Sequence, residues 1–173
     1  MQSVHRKDSD AMNATTAKPL KTNRLLFALY IGFFAGLIWG GLKIIEHYLQ
    51  FTDIVVGLFV EPFYRHDYLL GWQGVLLGWA AFAGFSVVAA FLYAVTLWKL
   101  PGPWWGLGYG ALWWAVIYLF VGPLAGMVYW PQAYDWNTIL TDACLFVLWG
   151  LFIGFSIAVE YTDERSREPI HNT

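Results

Sequence analysis

Long uncharged runs, broken by short clusters of charge and proline, set the pattern of this 173-residue chain. Leu25 to Leu42 is the first run, 18 residues without a charge. Tyr68 to Trp98 gives 31 more, and Leu100 to Tyr134 gives 35, opened by Pro101 and Pro103 and closed by Pro131. The last run, Ala143 to Val159, has 17, and Thr138 to Thr141 lengthens it on the other side of Asp142. A transmembrane helix needs about 20 mainly apolar residues. The pattern therefore predicts an all-α, integral membrane bundle of four transmembrane helices, at about 25–49, 70–98, 104–130 and 138–160. The second and third exceed what a bilayer needs, so tilt or interfacial ends are expected. Strict alternation of apolar and polar residues is absent, which argues against a β-barrel. The first run sits too far from the N-terminus, and is too long, for a cleaved signal peptide, so a retained signal anchor is expected.

The hydrophilic remainder is small. Residues 1–23 read as a disordered cytoplasmic tail, 24–160 as the transmembrane domain, and 161–173 as a second cytoplasmic tail. None of these pieces is long enough to bury a core alone. Composition agrees: 58% of residues are hydrophobic and only 13% charged, about half the charged share of a soluble domain. The net charge of −2 gives no sign of nucleic-acid binding. Lys and Arg are distributed unequally. Arg6, Lys7, Lys18, Lys21, Arg24, Lys99, Arg165 and Arg167 fall on one side of the four spans, and only Lys43 and Arg65 on the other. The positive-inside rule then places both termini and the Lys99–Pro103 loop in the cytoplasm, with the first and third loops outside. Trp72, Trp98, Trp104, Trp105, Trp130 and Trp136 lie near span ends, as an aromatic belt requires.

Glycine recurs within the spans. Gly32, Gly36 and Gly40 share one helical stripe, and the same spacing appears as Gly74/Gly78, Gly106/Gly110, Gly122/Gly126 and Gly150/Gly154. In lipid, helices associate through close backbone approach, which glycine permits. Packing within one bundle is the reading preferred over a dedicated dimer seam. Pro123 lacks an N–H and should kink the third span. The Gly-rich first span "IGFFAGLIWGG", an outer loop running into "WQG", and the turn "KLPGPWWGLGYGALWW" resemble the YqhR-type conserved membrane proteins of spore-forming Gram-positive bacteria. That resemblance spans most of the chain. It implies a bacterial plasma membrane and carries over no catalytic or ligand residues.

One group of residues stands out chemically. Lys43 and His47 project near the glycine stripe, Glu46 borders it, and Asp142 enters the fourth span at the same level. Ionisable groups at membrane depth are functional candidates by default. The plainer reading is an interfacial decoration in which Lys43 snorkels and pairs with Glu46 at i, i+3. The spacing of Glu46, His47, His66, Asp67 and Asp142 matches no metal motif, so no metal or other cofactor is expected. Ser86, Ser156 and Cys144 lack the setting of a nucleophile, and Cys144 reads as a small buried hydrophobe. Trp79, Trp113, Trp114 and Trp149 read as core, with an aromatic-lined groove for a lipid tail as the alternative. The apolar stretch Ile54 to Val60 is expected to lie in the membrane interface or to form a docking patch.

The expected function is a non-enzymatic scaffold, accessory or signalling-partner protein. The alternative is a carrier or binding subunit for a small polar or lipid ligand at the outer face. The spans carry no midplane charge of the kind secondary transporters use for coupling, which favours the former. Besides the lipid bilayer, the expected partner is another membrane protein or a second copy of the chain, and not nucleic acid.

Overall fold

In a hydrocarbon environment every backbone N–H and C=O must find a partner inside the protein, and an α-helix provides this within one segment. A computed structural model describes residues 23–97, 104–130 and 133–167. Its elements are α1 (Arg24–Tyr48), a 3-10 turn (Val56–Val60), a short α2 (His66–Leu69), α3 (Trp72–Thr96), α4 (Trp104–Ala115), a π-helical segment (Val116–Val121), α5 (Gly122–Ala125) and α6 (Trp136–Arg167). No strand occurs among the described residues. Among the described residues, four stretches are long and apolar enough to cross a membrane: Leu25–Tyr48, Trp72–Thr96, Trp104–Ala125 and Trp136–Glu160. Residues 1–22, 98–103, 131–132 and 168–173 lie outside the described residues, and with them the expected N-terminal tail, the Lys99–Pro103 loop and Trp98.

Two helix pairs make the bundle, α1 against α3 and α4 against α6, with further contact between α1 and α6. In the first pair, glycines of α1 face small residues of α3. A Cβ on Gly32 would sit 2.7 Å from the Val87 Cα, and one on Gly36 would strike the Ala83 backbone. Gly40 lies under the Trp79 ring. In the second pair, glycine meets glycine. A Cβ on Gly154 would stand 2.6 Å from the Gly106 Cα, one on Gly150 would strike the Gly110 backbone, and one on Gly110 would strike the Phe146 carbonyl. Gly74 and Gly78 act differently from the expected helix-to-helix packing. Gly74 abuts Leu69, and Gly78 abuts Gly57 of the first connection. Gly122 touches its own chain at Ile117 and Val128, and Gly126 has open space.

The connection between α1 and α3 corrects a second expectation. Val55, Val56, Gly57 and Leu58 are buried, and Leu58 is fully so. Gly78 lies six residues inside α3, about 9 Å along its axis. Phe59 stacks on Phe85 of α3, with centroids 4.6 Å apart. The Ile54–Val60 stretch therefore re-enters the bundle and neither floats in the interface nor presents an open docking patch. Irregular backbone is tolerated at such depth where protein, not lipid, surrounds it.

Around Pro123 the third span passes from α to π geometry. The π segment fills the turn before the proline, and the Gly122 N–H bonds the Ile117 carbonyl five residues back. The span then stops at Ala125, short of the expected residue 130. Gly126 adopts the left-handed conformation (φ 70°), and the Met127 N–H returns to the Gly122 carbonyl at 2.8 Å, closing a Schellman end. At its far end α6 runs on to Arg167, beyond the expected 160.

The core is aromatic. Trp149 is fully buried, stacks on Phe85 at 5.5 Å and donates Nε1–H to the Ser86 hydroxyl at 2.8 Å. Tyr109 donates to the Ala89 carbonyl at 2.7 Å, and Trp79 to the Leu37 carbonyl at 3.0 Å. Trp79, Trp113 and Trp149 thus belong to the packed interior. The apolar groove of about 550 Å³ lies elsewhere, lined by Trp39, Trp104, Leu148 and Phe155 among others. Trp72, Trp104, Trp105, Trp130 and Trp136 are exposed near the span ends. Cys144 is exposed and not buried, so its position on α6 lies off the face packed against the other helices.

A buried charge pair at the loop end

The loop end of the bundle is where α1 stops and α3 and α6 begin. Gln50 ends α1 in the left-handed conformation (φ 60°), and the Phe51 N–H returns to the Glu46 carbonyl at 2.9 Å. This reversal turns Thr52 and Asp53 back over the bundle.

Lys43, in the last two turns of α1, donates to the Asp142 carboxylate of α6 at 2.5 Å, and both side chains are fully buried. Thr52 donates its hydroxyl to the other Asp142 oxygen at 3.1 Å and accepts the Ile54 N–H at 3.2 Å. Thr138, in the first turn of α6, accepts the Asp53 N–H at 3.3 Å. His47 donates Nδ1–H to the Thr52 carbonyl at 3.0 Å. One network thereby joins α1, α6 and the re-entrant segment.

The expected Lys43–Glu46 pair is not the one formed. Asp142 takes the ammonium because it can approach from the buried side, where Lys43 has no water. Glu46 is half-buried and feels both charges, yet its Oε2 is buried without a hydrogen-bond partner. Tyr118, from the π segment, brings its hydroxyl close to Asp142. The structure thus brings Lys43, Asp142 and, more loosely, Glu46 and His47 to one place. Thr52, Thr138 and Tyr118 escaped the sequence reading. Their only signal was polarity beside an apolar run, which does not reveal a contact 90 residues away in the chain.

The pair is built to stay closed. Each charge loses its hydration, and the loss is offset only while the partner and its hydrogen bonds remain. Removing one partner leaves an uncompensated buried charge, at a cost of about 3–5 kcal/mol. Among the described residues no group of three His, Cys, Asp or Glu side chains converges as a metal site.

Comparison with known proteins agrees with this architecture. A family model described as "Conserved membrane protein YqhR" matches residues 7–172. "Uncharacterized protein YqhR" of Bacillus subtilis (strain 168) is 28% identical over 137 residues, which cover 79% of this chain and 77% of that protein. No solved structure matches. With nearly its whole length matched, the chain belongs to the YqhR family of conserved membrane proteins.

Proposed function

We propose that this protein is a non-enzymatic accessory or scaffold protein of the bacterial plasma membrane, with both termini in the cytoplasm and the loop end outside. The observation that carries this reading is the closed network of Lys43, Asp142 and Thr52. Secondary transporters usually place the ionisable groups they use for coupling near the midplane. Here the two buried charges satisfy each other at one end, and the re-entrant segment is pinned to them. Such an end holds a fixed shape for a partner. The lysine and arginine asymmetry supports the orientation.

Mild cross-linking and purification of tagged protein from native membranes tests the reading. One membrane protein recovered in fixed ratio with the wild-type chain is expected, and its loss is expected when Asp142→Asn loosens the loop end. Recovery of the chain alone, together with substrate uptake in proteoliposomes, contradicts it. A cytoplasm-active reporter fused after Thr173 should be active; inactivity there reverses the orientation.

A further inference from the structure

Beside the closed network, the loop end holds an open cavity of about 520 Å³ between the first connection and the end of the third span. Its size falls in the range of small-molecule sites, about 300–1,000 Å³. Asp53 and Glu61 line it, and among the described residues no lysine or arginine does. Arg65 is turned outward and lies 3.6 Å from Asp67, both highly exposed. His66 lines the cavity and donates Nδ1–H to Glu61 at 2.6 Å. Two carboxylates against one imidazole leave the lining net negative in either protonation state of His66.

Aromatic rings form the remaining polar wall. Tyr129 and Tyr134 meet at 6.3 Å with a 56° tilt, making a corner, and Trp130 continues it. Tyr134 accepts the Tyr129 N–H at 3.1 Å, which fixes the corner. Burial pushes the Tyr134 hydroxyl above the usual phenol range, so the ring stays neutral. The floor is apolar, formed by Ile54 and Val55 of the re-entrant segment. Two carboxylates, three aromatic rings and apolar side chains lining one cavity suit a cation that carries hydrocarbon. An inorganic cation would leave the rings unused. A phospholipid headgroup would press its phosphate against Asp53 and Glu61.

We propose that this cavity binds a soluble organic ammonium ion, with the charge between Asp53 and Glu61 and its alkyl groups against Tyr129, Trp130 and Tyr134. The proposal does not rest on the scaffold reading, although Asp53 also belongs to the network, through its N–H to Thr138 and through a carboxylate oxygen that accepts from the Thr138 hydroxyl at 3.4 Å.

Equilibrium dialysis of labelled choline against the full-length protein in maltoside detergent tests it. Saturable one-to-one uptake is expected, displaced by tetramethylammonium and not by the neutral isostere 3,3-dimethyl-1-butanol. Asp53→Asn with Glu61→Gln should weaken uptake about tenfold or more. Trp130→Ala should weaken it about two- to fivefold, the size of a partly exposed cation–π contact. Unfolding curves identify any variant that fails to fold, and discrimination against the isostere in wild type then decides alone. Absence of saturable uptake in the millimolar range, or equal displacement by the isostere, overturns the proposal. So does a tightly retained aminophospholipid in native mass spectra that choline cannot displace, which would assign the cavity to lipid.

Discussion

The glycine seams inside the membrane join α1 to α3 and α4 to α6, the polar network at the loop end joins α1 to α6, and the two work by opposite means. Along the α4/α6 seam, Gly106, Gly110, Gly150 and Gly154 let two backbones touch, and each contact contributes a small dispersion gain. At the loop end, Lys43, Asp142 and Thr52 provide a few strong interactions that fail together if one is removed. The seams do not specify one shape on their own, because apolar surface packs as readily on lipid as on protein. The network specifies shape, because the buried Lys43 ammonium is satisfied only where it meets the Asp142 carboxylate. Sliding α1 along α6 by one turn would leave the seams partly packed and the charges unpaired.

The largest effect is expected at the network. Lys43→Met or Asp142→Leu alone should lower unfolding free energy by about 3–5 kcal/mol, read from denaturation in mixed micelles. A loss under about 1 kcal/mol would mean that water reaches the pair. The seams come next. Gly110→Ala should cost about 1–3 kcal/mol, because its Cβ meets the Phe146 carbonyl and the helices must separate. Gly108→Ala, two residues away with open space around it, should be neutral or stabilising by up to about 1 kcal/mol. Similar thermal midpoints for the two variants would remove close approach as the explanation. Thr52→Val should cost about 1–2 kcal/mol, since one oxygen of a charged carboxylate loses its donor. The same variant should speed proteolysis of the first connection. Cys144→Val should stay within about 0.5 kcal/mol of wild type, as its side chain is exposed on α6.

The sequence made the four spans legible because hydrocarbon allows few solutions, and a charge-free run of span length admits little but a helix. The stripe of Gly32, Gly36 and Gly40 was legible for the same reason. Lys43 and Asp142 were each visible as charges near a span end. Their pairing was not, because it depends on how α6 rotates against α1, and Glu46 at i, i+3 competed for the same lysine. The re-entrant Ile54–Val60 segment was misread because an apolar stretch suits an interface and an interior equally. Gly78, lacking a side chain opposite Gly57 and Val56, makes room for it. The end of the third span was misplaced because its apolar character continues through Trp130, while Gly126 turns the backbone at once. Cys144 was misread because residue type says nothing about which side of a lipid-embedded helix it occupies.

The central claim is that the Lys43–Asp142 pair is desolvated and fixes the loop end. A double-mutant cycle of Lys43→Met and Asp142→Leu, measured by reversible unfolding in lipid–detergent micelles, tests it most directly. Each single variant is expected to lose stability, and the double variant should recover most of the loss, with a coupling energy of at least about 2 kcal/mol. Additive losses, with the double variant the least stable of the four, would contradict it.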